Sequence, residues 1–218
     1  ISSFFYIVML IVVYFSKKRL TSFENKIYVN MLVSNLVGLV LDVASIFTIM
    51  NMDKFPILNF VVTRFYLLYL LFWVSLFTVY TISICCKGEN NVLEKQENIL
   101  KTFLGLFIIF GLIIFLLPLN YFNNGIEIYS YGLSATFSYI VGGIYIFICL
   151  FLTVTNFKKI KKIKCVPLIV YLIMFPLILS IQAINPQILL VTSLESFITF
   201  LMYFTIENPD IKMIEQLE

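Results

Sequence analysis

Leu58 to Ile84 reads LNFVVTRFYLLYLLFWVSLFTVYTISI, a run of apolar and small polar residues in which Arg64 alone carries charge. A helix needs about 20 mostly apolar residues to cross a bilayer, and this run exceeds that. Working outward by the same rule gives six more runs: Ile1 to Phe15, Ile27 to Met50, Leu100 to Leu119, Ser134 to Asn156, Cys165 to Ile184 and Ile188 to Ile206. The reading is an all-α, polytopic membrane protein with a seven-helix bundle over residues 1–206 and the start of a further helix over 207–218. Composition agrees: 61% of the 218 residues are hydrophobic and 12% charged, and the mean hydropathy is +1.01. Soluble domains are roughly half apolar and a quarter charged.

The first run offers about 22 Å of helix at 1.5 Å per residue, less than a hydrocarbon layer of about 30 Å. Further residues ahead of Ile1 are therefore expected. No charged segment precedes the run and no small-residue cleavage site follows it, which excludes a signal peptide.

Basic residues set the expected orientation. Lys17, Lys18, Arg19 and Lys26 lie in the first loop, Lys87, Lys95 and Lys101 around the third, and Lys158, Lys159, Lys161, Lys162 and Lys164 in the fifth; the alternate loops hold only Lys54. The positive-inside tendency places the odd loops and the C-terminus in the cytoplasm and the N-terminus outside. The net charge of +3 then reflects topology, and no nucleic-acid partner is expected. The outer loops, Asn51 to Pro56, Asn120 to Leu133 and Asn185 to Gln187, are too short for a domain of about 50 residues. Any stimulus must be read by the bundle itself. Cys85, Cys86, Cys149 and Cys165 avoid the outer loops, so no disulfide is expected. Cys85 and Cys86 read as small core-filling side chains or as acylated juxtamembrane thiols.

The chain has no histidine, which removes Ser-His and Cys-His nucleophile pairs, the H-E-x-x-H metal site and His-ligated haem. No Gly-rich phosphate loop occurs, and the last membrane helix has no lysine for a retinal Schiff base. The segment is expected to be non-catalytic, without a metal or cofactor of its own.

Asp42, Arg64, Gln182 and Glu195 lie within the apolar runs. Such groups are costly in a bilayer and face partners or wet cavities. Counted from the helix ends, Asp42, Arg64 and Glu195 fall roughly 9 to 12 Å below the outer surface, with Gln182 nearer the rim. Asn35, Gly38, Asp42 and Ser45 share one face of their helix, as do Thr192, Glu195 and Thr199 of theirs. Polar and small stripes belong at helix contacts. Two arrangements fit: an ion-pair network of Asp42 and Glu195 with Arg64, or an outward-open pocket walled by Trp73, Tyr66 and Tyr69. One arginine against two carboxylates leaves a negative charge for a proton, a metal ion or an amine. Gly142 and Gly143 read as helix-packing positions, and Pro118, Pro167 and Pro176 as a helix end, a first turn and a kink.

The final run ends at Ile206 and meets Glu207-Asn208-Pro209-Asp210. Asn208 suits an N-cap, Pro209 the first helical position and Asp210 the positive helix end, so a new helix is expected from about Pro209. Ile211, Ile214 and Leu217 step by three and Met213 to Leu217 by four. This fits a short coiled-coil seam or an amphipathic helix on the membrane.

Gln182-x-x-Asn185-Pro186-x-x-Leu189-Leu190-x-Thr192, followed by Glu195-x-Phe197-x-Thr199 through Asp210, resembles the end of the N-terminal seven-helix membrane region of bacterial sensor histidine kinases. Tyr66-Leu67-Leu68-Tyr69 with Trp73 and Phe77-x-x-Tyr80 is similar to their third helix. The order and loop lengths match over nearly the whole chain. The resemblance implies a plasma-membrane receptor whose last helix runs into a homodimeric hairpin bearing a phosphoacceptor histidine and then a kinase domain using ATP and Mg. The whole protein would autophosphorylate and pass phosphate to a response regulator in a two-component phosphorelay, with Glu207, Asn208, Pro209 and Asp210 as the coupling hinge. Similar regions also precede cyclic-dinucleotide synthases. From the residues themselves, a transporter or channel with a polar site, or a structural assembly subunit, stay open as rivals.

Overall fold

The computed structural model describes residues 2–16, 22–85, 92–125, 127–158, 160, 162–185 and 190–206. They form seven helices, α1 (Ser2–Ser16), α2 (Phe23–Met50), α3 (Pro56–Cys85), α4 (Val92–Leu116), α5 (Leu133–Thr155), α6 (Lys162–Ile184) and α7 (Val191–Ile206), and two strands, β1 (Asn120–Asn123) and β2 (Ile128–Tyr131). Five helices are long and apolar enough to cross a membrane: Phe23–Met50, Pro56–Cys85, Gln96–Leu116, Leu133–Thr155 and Lys164–Gln182. The two shorter apolar helices, α1 and α7, have 15 and 16 residues, about 22 to 24 Å of length. Residues 207–218, including the expected hinge Glu207 to Asp210, lie outside the described residues, as does Cys86.

Local chemistry sets the helix ends. The Ser22 hydroxyl accepts the Asn25 N–H at 3.2 Å and opens α2, an N-cap that satisfies one first-turn donor. Pro56 opens α3 at the position where its missing N–H matters least. Pro118 follows the end of α4 at Leu116, as expected. Pro167 differs from the expected first turn: α6 begins at Lys162, so both Pro167 and Pro176 stand inside a helix that continues through them.

The all-α expectation needs one correction. The segment read as a loop after α4 folds into an antiparallel hairpin, with Asn120 opposite Tyr131 and Asn123 opposite Ile128. Asparagine side chains and a glycine make the turn. Asn123 Oδ1 accepts the Gly125 N–H at 3.0 Å, Asn124 Oδ1 accepts the Glu127 N–H at 2.6 Å, and Gly125 adopts φ +85°, a region L side chains avoid. The Tyr121 hydroxyl lies 3.0 Å from that of Thr63 and ties the hairpin to α3.

α3 is the central rod. It packs on α2, α4 and α5, while α7 packs on α6, α2 and α1. A stripe of α3 aromatics meets α6: Trp73 stacks on Phe77 with centroids 5.5 Å apart, and Phe77 lies 4.6 Å from the Tyr171 ring. Outward faces stay apolar, as Val33, Val37, Val40 and Phe47 of α2 show. Apolar exposure on this scale is foreign to soluble monomers and suits a lipid surround. The Gly142-Gly143 reading is also corrected, because a Cβ at either position would meet nothing within 4 Å. Close helix approach occurs instead at Gly38, where an added Cβ would collide with the Tyr69 ring.

At the end of the bundle away from the hairpin, Lys164 Nζ donates to Glu24 Oε2 at 2.6 Å, both side chains being nearly buried. The sequence reading assigned Lys164 to the basic loop only; in the fold it joins α6 to α2. Cys85, Cys149 and Cys165 are buried. Cys149 Sγ sits 3.4 Å from the Thr78 hydroxyl between α5 and α3, and the burial of Cys85 fits the core-filling reading of that residue.

Candidate functional site

The polar stripes of α2 and α7 face each other and enclose side chains of α3. Glu195 is buried, 1% exposed, and its Oε2 accepts the Tyr69 hydroxyl at 2.5 Å. Tyr69 Oη also lies 3.4 Å from Asn35 Oδ1. Asn35 Nδ2 donates to the Thr199 hydroxyl at 3.1 Å, and Thr199 Oγ1 donates to the Glu195 carbonyl at 2.8 Å. Ser196 Oγ lies 2.9 Å from Asn35 Oδ1 and 2.8 Å from the Thr192 carbonyl, its one proton serving either. The Tyr28 hydroxyl donates to the Thr199 carbonyl at 3.2 Å. Gly38 makes room for the Tyr69 ring in this knot.

One turn nearer the hairpin, Asp42 lies beside the hydroxyls of Tyr66 and Thr192, which are themselves 3.2 Å apart. Asp42 Oδ1 is buried with no hydrogen-bond partner. The expected stripes are thus both present and interlocked. Ser196 and Asn35 extend them, and Tyr69 proves to be the direct partner of Glu195 while also lining an apolar groove between α2, α3 and α4.

Arg64 corrects the ion-pair expectation. It makes no ion pair with Asp42 or Glu195; Nη2 donates to the Leu117 carbonyl at 3.2 Å, just past the end of α4, and its guanidinium carbon lies 3.7 Å from the Phe60 ring centroid. The reason is helical phase. Arg64 and Tyr66 are two residues apart, about 200° around the helix, so Arg64 faces α4 while Tyr66 faces α7. Its charge meets the negative end of a helix and an aromatic face. Nε and Nη1 have no protein partner. Among the described residues, therefore, no cation pairs with either carboxyl of the α2–α7 site.

Beside this site a cavity of about 410 Å³ opens between α2, α3, α5, α6 and the hairpin. Ser45, Thr63, Tyr66, Tyr129, Tyr139 and Gln182 give it polar points among apolar walls. Its size and lining fall in the range of small-molecule sites. Of the residues singled out in the sequence, Gln182 and Tyr66 line this cavity. Trp73 does not: it is fully buried and stacked in the α3–α6 core, with an unpartnered indole N–H. Tyr129 and Tyr139 were missed in the sequence. For Tyr129 the signal was the alternation in Tyr129-Ser130-Tyr131, hidden by reading the segment as a loop; Tyr139 lies in the apolar run of α5 and carries no such signal.

A second, smaller cavity of about 30 Å³ lies deeper and is lined by Ser138, Tyr139, Tyr171 and Glu195 among others. It shares Leu70, Tyr139, Leu179 and Val191 with the larger one, so the two are neighbours through common walls. No group of three or more metal-ligating side chains occurs among the described residues. No protein-family model matches the chain, and no curated protein is significantly similar to it.

Proposed function

We propose that this chain is the membrane-embedded sensor of a signalling protein, with seven crossings, its hairpin end outside the cell and its C-terminus in the cytoplasm. The observation that carries this reading is the meeting of the larger cavity with α7. Tyr66 lines the cavity and lies against Thr192 of α7, one turn from the Glu195 knot. A ligand in the cavity touches the group that positions the last helix. A ligand shifts a two-state bundle only by binding the two arrangements unequally, and this contact supplies the difference.

The output is proposed from the resemblance to sensor histidine kinases: α7 continues through Glu207 to Asp210 into a dimeric helix that sets kinase activity toward a response regulator. A cyclic-dinucleotide synthase is the second output of the same sensor. Loop charges support the orientation, since the basic clusters fall in alternate connections. The test is to express the open reading frame with the codons that follow Glu218 and to assay it in nanodiscs with labelled ATP. Autophosphorylation that Tyr66→Ala or Thr192→Val shifts is the expected result. A frame that stops at Glu218, or a kinase indifferent to both substitutions while still inserted, overturns the reading. Uptake of solute by the chain in liposomes would favour the transporter instead.

A further inference from the structure

The deeper cavity is walled in part by a buried glutamate and a buried tyrosine, Glu195 and Tyr171. Glu195 gives Oε2 to Tyr69, and no protein donor reaches its other oxygen. Tyr171, fully buried on α6, lines the same void, and its hydroxyl has no partner. Unpartnered buried polar groups are rare in native folds and point to a missing ligand or water. The void, about 30 Å³, accommodates one water-sized group. Its walls continue into the apolar cavity of about 410 Å³.

We infer that the two cavities are one ligand site of two parts, taking a protonated amine in the deeper void against Glu195 and Tyr171 and its apolar or aromatic body in the larger cavity. This rests on the reading of the larger cavity as the ligand pocket of a sensor. The charge balance selects the class. Asp42 and Asn35 of α2, Tyr66 and Tyr69 of α3, Tyr139 of α5 and Tyr171 of α6 surround Glu195, and none is a cation. A buried carboxylate without a cation is strongly unfavourable, so the group is neutralised either by a proton or by a cation that the ligand brings, and the neighbouring void gives the second a place. A bare divalent ion is disfavoured because it wants about six oxygens, whereas an ammonium is content with three acceptors. The larger cavity, with aromatic walls, then discriminates among the bodies that amines carry.

Trp73 is the only tryptophan and its ring lies 5.5 Å from that of Tyr171, so its fluorescence reports on the deeper void. The experiment titrates 2-phenylethylamine and the neutral 2-phenylethanol onto the protein in nanodiscs. The amine is expected to change Trp73 emission saturably, at a half-saturation at least about tenfold below that of the alcohol, and Glu195→Gln is expected to abolish the difference. Tyr171→Phe, which removes a hydroxyl with no partner in the fold, is expected to keep the protein folded and weaken the amine about three- to tenfold. Equal binding of amine and alcohol overturns the inference while leaving the larger cavity a ligand pocket. An amine preference that survives both substitutions overturns the assignment to Glu195 and Tyr171. A Trp73 response to pH alone that blocks the amine makes the cargo a proton and overturns it too. Failure of 2-phenylethylamine and 2-phenylethanol alike removes both the inference and the pocket.

Discussion

Gly38 and Tyr69 show how finely the carboxyl site is set. A methyl at residue 38 runs into the Tyr69 ring, and that ring carries the hydroxyl bound to Glu195. Gly38→Ala is therefore expected to destabilise the protein by about 1–3 kcal/mol through overpacking. Residues in contact are coupled, so the loss should be far smaller in a Tyr69→Leu background. Thermal unfolding of the four proteins in one detergent measures the cycle, and additive losses would show that the ring does not occupy that space. Arg64 gives a second test at this scale. If it held two carboxylates, Arg64→Met would leave them uncompensated in the interior and remove about 3–5 kcal/mol. Since it binds Leu117 and Phe60 instead, with two nitrogens unsatisfied, the apolar replacement is expected to change stability by no more than about 1 kcal/mol. Chemical unfolding of the variant separates the two values.

Among the elements, the helices were legible and their partners only partly so. The runs ending at Met50 and Ile184 share their ends with α2 and α6 because apolar length is written directly in the chain, while α2, α4 and α6 begin earlier than the runs because charged residues enter their first turns. The stripes on α2 and α7 were legible because helical spacing puts them on single faces. What counting depth along the chain did not reveal was azimuth: Arg64 counts to about the depth of Asp42 and Glu195 in the sequence but points the other way round α3, toward Leu117. The hairpin was obscured by its position between long spans, although Asn123-Asn124-Gly125 is a turn signal. Glu24 and Lys164 went unnoticed for a different reason, since each sits near a helix start among other charges and only the fold brings α2 and α6 together. That pair is the chief polar tie between these helices among the described residues. Lys164→Met alone is expected to lose about 3–5 kcal/mol by removing one partner of a buried ion pair, and adding Glu24→Gln should recover most of it. A melting-temperature series with both singles and the double decides whether the tie is an ion pair or two separate packing contacts.

For the whole molecule, topology and signal direction are one problem, because α7 transmits only if it runs from the cavity side to the output side. In the proposed seven-crossing topology the hairpin, the α2–α3 turn and the α6–α7 connection share one end of the bundle and the lysine-rich connections the other. Single cysteines at Asp53 and Glu127, introduced into a chain with the native cysteines replaced, should react with an impermeant maleimide on intact cells, while one at Lys158 should react only after permeabilisation. The reverse pattern would put the cavity in the cytoplasm and remove the sensor reading with it. Given the expected topology, transmission through residues 207–210 has its own signature. Helical phase is conserved along a rigid rod, so one residue inserted after Asp210 turns everything downstream by about 100°. Two inserted residues turn it by about 200°, and seven restore the heptad phase of a coiled coil. Output in the extended protein should therefore change sign or vanish with one or two residues and return with seven. A response that instead falls steadily with insertion length would mean that α7 acts through tension or proximity, and a response unchanged by all three would separate the bundle from the output altogether.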